Sequence, residues 1–301
     1  MGASVNPEEL TTDSLERRRT RRQLAAYFAL AFLITWGLGA LIILARPQVE
    51  ALVGPMGVMN HHWLYYLAVA SPSISAIVCS LCFGGLSGLA ALGRRFLLPV
   101  NLVWIAVALL VLPVALTIFS VLTKAFGGGD GIDLNALWVG APIMAVMTWA
   151  LVVDPGGLCE ETGWRGYALP RLLKLMSPAW AGIALGLVWG VWHLPAFLVS
   201  DLVQSQLGLG WFLGGTMALS VVMAWLFVHA NGNVVIAGII PHLWWNLTFD
   251  AHVFRRDALQ QQVTVTGLIA LALLVSLGPQ LVRPLWTGKR SSGMRGAEIG
   301  P

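Results

Sequence analysis

Two adjacent carboxylates, Glu160 and Glu161, followed one helical turn later by Arg165, stand in the run Asp154-Pro-Gly-Gly-Leu-Cys-Glu-Glu-Thr-Gly-Trp-Arg-Gly-Tyr167, directly after the apolar stretch 141–153. Paired acids are the raw material of general acid–base chemistry when their surroundings push them into different protonation states. At 100° per residue Glu161 and Arg165 share a helix face, so Arg165 is expected to neutralise and orient Glu161. Glu160 then points about a quarter-turn away, which leaves it to take or give a proton. The plainer alternative is an ion network at a helix end.

Two imidazoles raise the chemical content of the chain. His242 and Asn246 are four residues apart, so ring and amide project from one face and can share a water or a metal. His193 belongs to Trp189-Gly-Val-Trp-His-Leu-Pro195. Pro195 has no N–H for the Val191 carbonyl, which should loosen the helix beside the imidazole. His229, next to Asn231-Gly232-Asn233, reads as a helix cap rather than a ligand. Three cysteines give no disulfide framework; Cys79 and Cys82 read as small hydrophobes within an apolar helix, and Cys159 adjoins the acidic motif without any need to react.

These polar groups must be positioned by membrane helices. Of 301 residues 57% are hydrophobic and 11% charged, the composition of an all-α, polytopic membrane protein. Runs of about 20 apolar residues, the length that spans a bilayer core, give eight candidate helices, near 24–45, 63–83, 102–123, 137–158, 179–199, 208–229, 233–250 and 263–284. The expected organisation is a disordered cytoplasmic tail over 1–23, a transmembrane domain over 24–286 with its chemistry in helices 4 to 7, and a polar cytoplasmic tail over 287–301. With the N-terminus in the cytoplasm, only Arg46, Lys124, Arg255 and Arg256 of the 18 Lys and Arg fall outside, which places both termini inside a cell membrane. The basic run Arg17 to Arg22 is then a topology anchor on anionic lipid, and nucleic acid is not an expected partner. Leu86 to Pro99 and Gly166 to Met176 read as interfacial helices. Ionisable groups within spans cost several kcal/mol on insertion scales, so they are expected to face a cavity and pair with one another.

Glu-Glu-x-x-x-Arg, then aromatic-x-x-x-His, then His-x-x-x-Asn, each on its own membrane helix between about residues 155 and 250, resembles the CAAX prenyl protease and bacteriocin-processing family of intramembrane endopeptidases. The resemblance implies hydrolysis of a peptide bond in a lipid-linked or membrane-associated substrate, with membrane lipid as the other partner. Carried over, Glu160 and His193 would activate water, His242 and Asn246 would stabilise the oxyanion, and Glu161 and Arg165 would support them. Trp189 stands where many members carry Phe, a change expected to alter shape more than chemistry. Trp189, Trp192 and Trp245 are candidates for lining a substrate groove.

No cofactor is required by this pattern. If zinc binds, Glu160, His193 and His242 are its candidate ligands, but using Glu160 so would forfeit the base. A rival reading is a non-catalytic scaffold or bacteriocin-immunity protein that binds through the same cavity. A transporter would be expected to show repeats or paired broken helices, and neither is seen. One conflict stands out. At 1.5 Å per residue His193 and His242 lie about 21 Å and 13 Å deep, whereas Glu160 falls at the edge. Either the fourth helix continues past Pro155-Gly156-Gly157 and dips inward, or the fifth begins later than Ala179.

Overall fold

A computed structural model describes residues 7–57, 62–126, 156–199, 202–247 and 258–276. Every regular element among them is helical, and four helices are long and apolar enough to cross a membrane. The first, α1 (Pro7–Val53), is kinked at Ala45, two residues before Pro47; proline removes a donor and clashes one turn back, which ends the straight segment where the first apolar run was expected to end. Its other end differs from expectation. The helix begins at Pro7, inside the stretch read as a disordered tail, because its basic turns are tied to other elements. Lys174 pairs with Glu16 at 3.0 Å, Arg171 Nε donates to Gln23 Oε1 at 3.0 Å, and Arg19 donates to the Phe83 carbonyl at 3.2 Å.

The second expected span is divided into α2 (Trp63–Val69) and α3 (Ser71–Arg94), with Pro72 opening the latter in the position where its missing N–H costs nothing. Within α3, Gly85 adopts φ +60°, a conformation glycine alone takes without strain. The chain beyond it turns back far enough that a Cβ on Gly88 would stand 2.6 Å from the Ser80 carbonyl oxygen. The segment expected to leave the second span at Leu86 therefore does so. α4 (Leu102–Ala125) is capped by Asn101, whose side chain accepts the Val103 N–H at 2.9 Å, a standard N-cap bond. Most of the expected fourth span, including Asp154 and Pro155, lies outside the described residues, as do 1–6 and the polar tail 287–301.

The acidic motif begins α5 (Gly156–Gly163), continues through a wide turn at Trp164–Ala168 and ends in α6 (Leu169–Leu172). Next come α7 (Pro178–Trp192) and the short α8 (Leu194–Phe197), then a 3-10 turn at Val203–Gln206. After α9 (Leu209–His229), a second wide turn at Val235–Ile239 leads into α10 (Ile240–Leu247), and α11 (Ala258–Ser276) follows. The turn after α9 has Asn231 and Gly232 at positive φ, with the Gly232 N–H on the Phe227 carbonyl at 2.8 Å, the bond that closes a Schellman cap. His229 ends that helix, its Nδ1 on the Trp225 carbonyl at 2.8 Å.

Close packing of α7 on α9 is set by Gly182, Gly186 and Gly190, one every fourth residue. A Cβ on Gly182 would lie 2.8 Å from Val221 Cα, one on Gly186 2.5 Å from Met217 Cα, and one on Gly190 2.6 Å from a Leu213 methyl. Lipid supplies no hydrophobic drive between helices, so van der Waals contact at small residues takes its place. Outward positions such as Leu33, Leu44 and Leu110 stay exposed, as a lipid-facing surface requires. Gly186→Leu is expected to lower the unfolding midpoint in detergent by roughly 5 °C or more. Gly37→Leu, where nothing stands within 4 Å of the added carbon, should leave it unchanged in the same thermal assay.

Candidate active site

Glu161, Arg165 and His242 form one buried unit. Glu161 Oε1 accepts from Arg165 Nη1 at 2.8 Å and from His242 Nδ1 at 2.7 Å, and the three side chains are 0%, 0% and 2% exposed. Spacing on α5 accounts for the first bond. The second is tertiary. It depends on Gly238, one turn before His242, where a Cβ would lie 2.9 Å from Glu161 Oε2 and 3.3 Å from Arg165 Cβ.

Both helices widen where they meet. The Leu169 N–H bonds the Trp164 carbonyl and the Ile240 N–H bonds the Val235 carbonyl, each skipping one residue more than an α-helix does. Such π-turns are rare and concentrate at functional sites. Because an ionised carboxylate can only accept, His242 Nδ1 must carry the proton in this bond, and Nε2 is the nitrogen presented elsewhere.

Glu160 is held differently from expectation. Rather than being left to itself beside the Glu161 pair, its Oε2 accepts from Trp189 Nε1 at 2.6 Å and, at a longer 3.4 Å, from Trp164 Nε1. The Trp164 contact is the i to i+4 relation that also links Glu161 to Arg165, so the sequence carried its signal. Trp189 therefore supplies a donor as well as a shape: a phenyl ring in its place would have no N–H to give. The same indole has the Arg165 guanidinium carbon 4.7 Å from its ring centre and the His242 ring 5.1 Å away.

His193 stands where α7 stops. Its backbone N–H bonds the Gly190 carbonyl at 3.1 Å, and its ring Nδ1 takes the Trp189 carbonyl at 2.9 Å. A carbonyl only accepts, so Nδ1 is again the protonated nitrogen and Nε2 carries the lone pair. The break agrees with the loosening expected from Pro195. Half-buried His193 is walled by Trp192 at 4.6 Å and Phe212 at 5.0 Å between ring centres. Asn246 follows His242 by one turn of α10 and is half-buried.

The other candidate groove residues are buried: Trp192 Nε1 donates to Ser71 Oγ at 3.3 Å, and Trp245 packs on Gly215, where a Cβ would touch its ring at 2.6 Å. The conflict of depth is removed by α5. Since α7 starts at Pro178, no later than expected, it is the helical run from Gly156 through the acidic motif that brings Glu160 beside Trp189, four residues from His193.

Zinc was the one metal for which the sequence offered ligands. Among the described residues no group of three or more His, Cys, Asp or Glu side chains is gathered to hold a metal ion, and Glu160 Oε2 is committed to indole donors. Glu160, His193 and His242 are thus not gathered as a zinc ligand set.

The three motifs, on separate helices and joined at Trp189, coincide with a family pattern. Residues 140–248 match the model for type II CAAX prenyl endopeptidases of the Rce1-like group. This core is thus similar to the CAAX prenyl endopeptidases over about a third of the chain. The chain is also similar to CAAX prenyl protease 2 of Methanococcus maripaludis, with 26% identity over 190 residues, 58% of this chain and 66% of the relative. It spans just under two thirds of that relative's length.

Removing one partner of a buried ion pair typically costs about 3–5 kcal/mol because the other charge is left uncompensated. Arg165→Met should therefore destabilise the protein by about that amount, and adding Glu161→Gln to it should recover a good part of the loss. A double-mutant cycle of unfolding in detergent checks this; strictly additive effects would contradict the coupling.

Proposed function

We propose that this chain is an intramembrane endopeptidase that hydrolyses a peptide bond of a membrane-associated or lipid-linked substrate. The observation that carries the reading is the double role of Trp189, whose indole N–H holds the Glu160 carboxylate while its carbonyl fixes the His193 ring. One residue thereby presents an acceptor of protons and an imidazole lone pair together. The family match and the relative, a CAAX prenyl protease, support the same reaction class and a prenylated peptide as the substrate to try first.

In the proposed reaction Glu160 and His193 Nε2 orient a water and accept its proton as the oxygen attacks the scissile carbonyl carbon. Negative charge then gathers on the carbonyl oxygen. His242 Nε2–H and the Asn246 amide would donate to it, and His242 can donate there only when its ring carries both protons, since its Nδ1 proton is given to Glu161. Arg165 holds the Glu161 carboxylate in place. Collapse breaks the C–N bond, and the proton held by Glu160 passes to the departing amine.

Glu160→Gln keeps the shape and an acceptor oxygen for the indoles but cannot take a proton, so kcat should fall by about 100-fold or more. His193→Ala should do likewise. Purified protein in liposomes with a farnesylated, internally quenched peptide provides the measurement. Cleavage undiminished in Glu160→Gln would remove Glu160 from the chemistry, and a cellular phenotype retained by a well-expressed Glu160→Gln variant would favour the scaffold reading.

A further inference from the structure

At the end of the bundle that carries the basic turns of α1, two guanidinium groups sit half-buried with no acid paired to them among the described residues. Arg95 follows the last residue of α3. Its guanidinium carbon lies 5.8 Å from the centre of the buried Phe227 ring, and its Nη1 would stand 3.1 Å from a Cβ on Gly232 in the turn after α9. Its carbonyl accepts the Val234 N–H at 3.0 Å, so the backbone of this residue joins two elements. Arg171, on α6, lies 3.5 Å above the Tyr167 ring and donates to Gln23 Oε1 and to the Tyr167 carbonyl.

Among the described residues, the hydrogen-bond and ring partners of the two guanidinium groups are uncharged. The ionised group whose field reaches Arg95 is Arg171, and the one whose field adds to Arg171 is Arg19. Burial first, and the neighbouring cation second, push Arg95 down to about 10. Glu16, an acid on α1, is paired with Lys174. α3 and the wide turn that leads into α6 approach closely here: a Cβ on Gly166 would lie 3.0 Å from a Leu92 methyl, and the field of Arg171 reaches Arg95. Directly after Arg95 in the chain, Leu97 and Leu102 are 84% and 79% exposed and Val103 is 60% exposed.

We propose that this junction of α3, α6 and the turn after α9 binds the phosphate of an anionic phospholipid, with Arg95 and Arg171 as donors and the acyl chains lying on Leu97, Leu102 and Val103. Planar guanidinium forks suit phosphate oxygens, and basic recesses between membrane helices hold anionic headgroups. A free phosphate would satisfy the cations but leave the apolar flank uncovered. The amphiphile satisfies both.

The test uses the full chain in neutral detergent, with the unfolding midpoint and lipid adducts in native mass spectra as readouts. Neither depends on proteolysis. Phosphatidylglycerol should raise the midpoint by about 5 °C and remain as an adduct. Phosphatidylcholine and inorganic phosphate should do neither, Arg94→Gln should respond as wild type, and Arg95→Gln with Arg171→Gln should lose the response. An equal shift with phosphatidylcholine, an equal shift with inorganic phosphate, or a full phosphatidylglycerol response in the double variant would each overturn the proposal. Should that variant fail to fold, Arg95→Lys with Arg171→Lys keeps the charge but loses the fork, and adduct retention equal to wild type would overturn it as well.

Discussion

A carboxylate placed among apolar helices has to be answered by donors, and the Glu161 side chain is answered twice, by Arg165 on its own helix and by His242 on another. In a medium without water, an unpaired ion there would cost more than most single packing contacts return. That constraint fixes the distance between the wide turn at Trp164–Ala168 and the one at Val235–Ile239. It also explains why Gly238 has no side chain, since any would fill the space that the carboxylate occupies. The position of His242 follows from an electrostatic requirement as much as from packing.

Trp189 is the second joint. It sits near the end of α7, held close to α9 by three glycines at four-residue spacing, and its two polar groups face different partners. The indole N–H meets Glu160 and the carbonyl meets His193. A helix break is useful there. Had α7 continued without interruption, the Trp189 carbonyl would have been taken by the backbone N–H four residues on, leaving the His193 ring without its anchor. Pro195 prevents that continuation. In the proposed hydrolysis, base and imidazole are thus oriented by the architecture of one helix end rather than by contact with each other.

Sequence reasoning reached some elements and missed others for identifiable reasons. Composition and run length were sufficient for an all-helical membrane chain, because the bilayer forces backbone bonds to close within each segment. The Glu161–Arg165 bond was legible, being local and set by helical spacing. The same spacing held the Trp164 contact to Glu160, which was overlooked because indole is usually counted as an apolar anchor. The α1 boundary was misjudged: residues before 24 look like a polar tail, yet Glu16, Arg19 and Gln23 bond to partners 64 to 158 residues away. No local pattern reports such partners.

The sequence alone determined the residue types available for chemistry, their grouping on separate helices, the glycine spacing that lets helices touch, and the proline that interrupts α7. Each is a property of neighbours within a few positions, where covalent geometry and helical periodicity act directly. Tertiary structure decided which acid meets which donor. Glu161 bonds His242 and Glu160 bonds Trp189, pairings that depend on how α5 lies beside α7 and α10. That depth is set by side chains in mutual contact across the bundle, and no spacing along the chain encodes it.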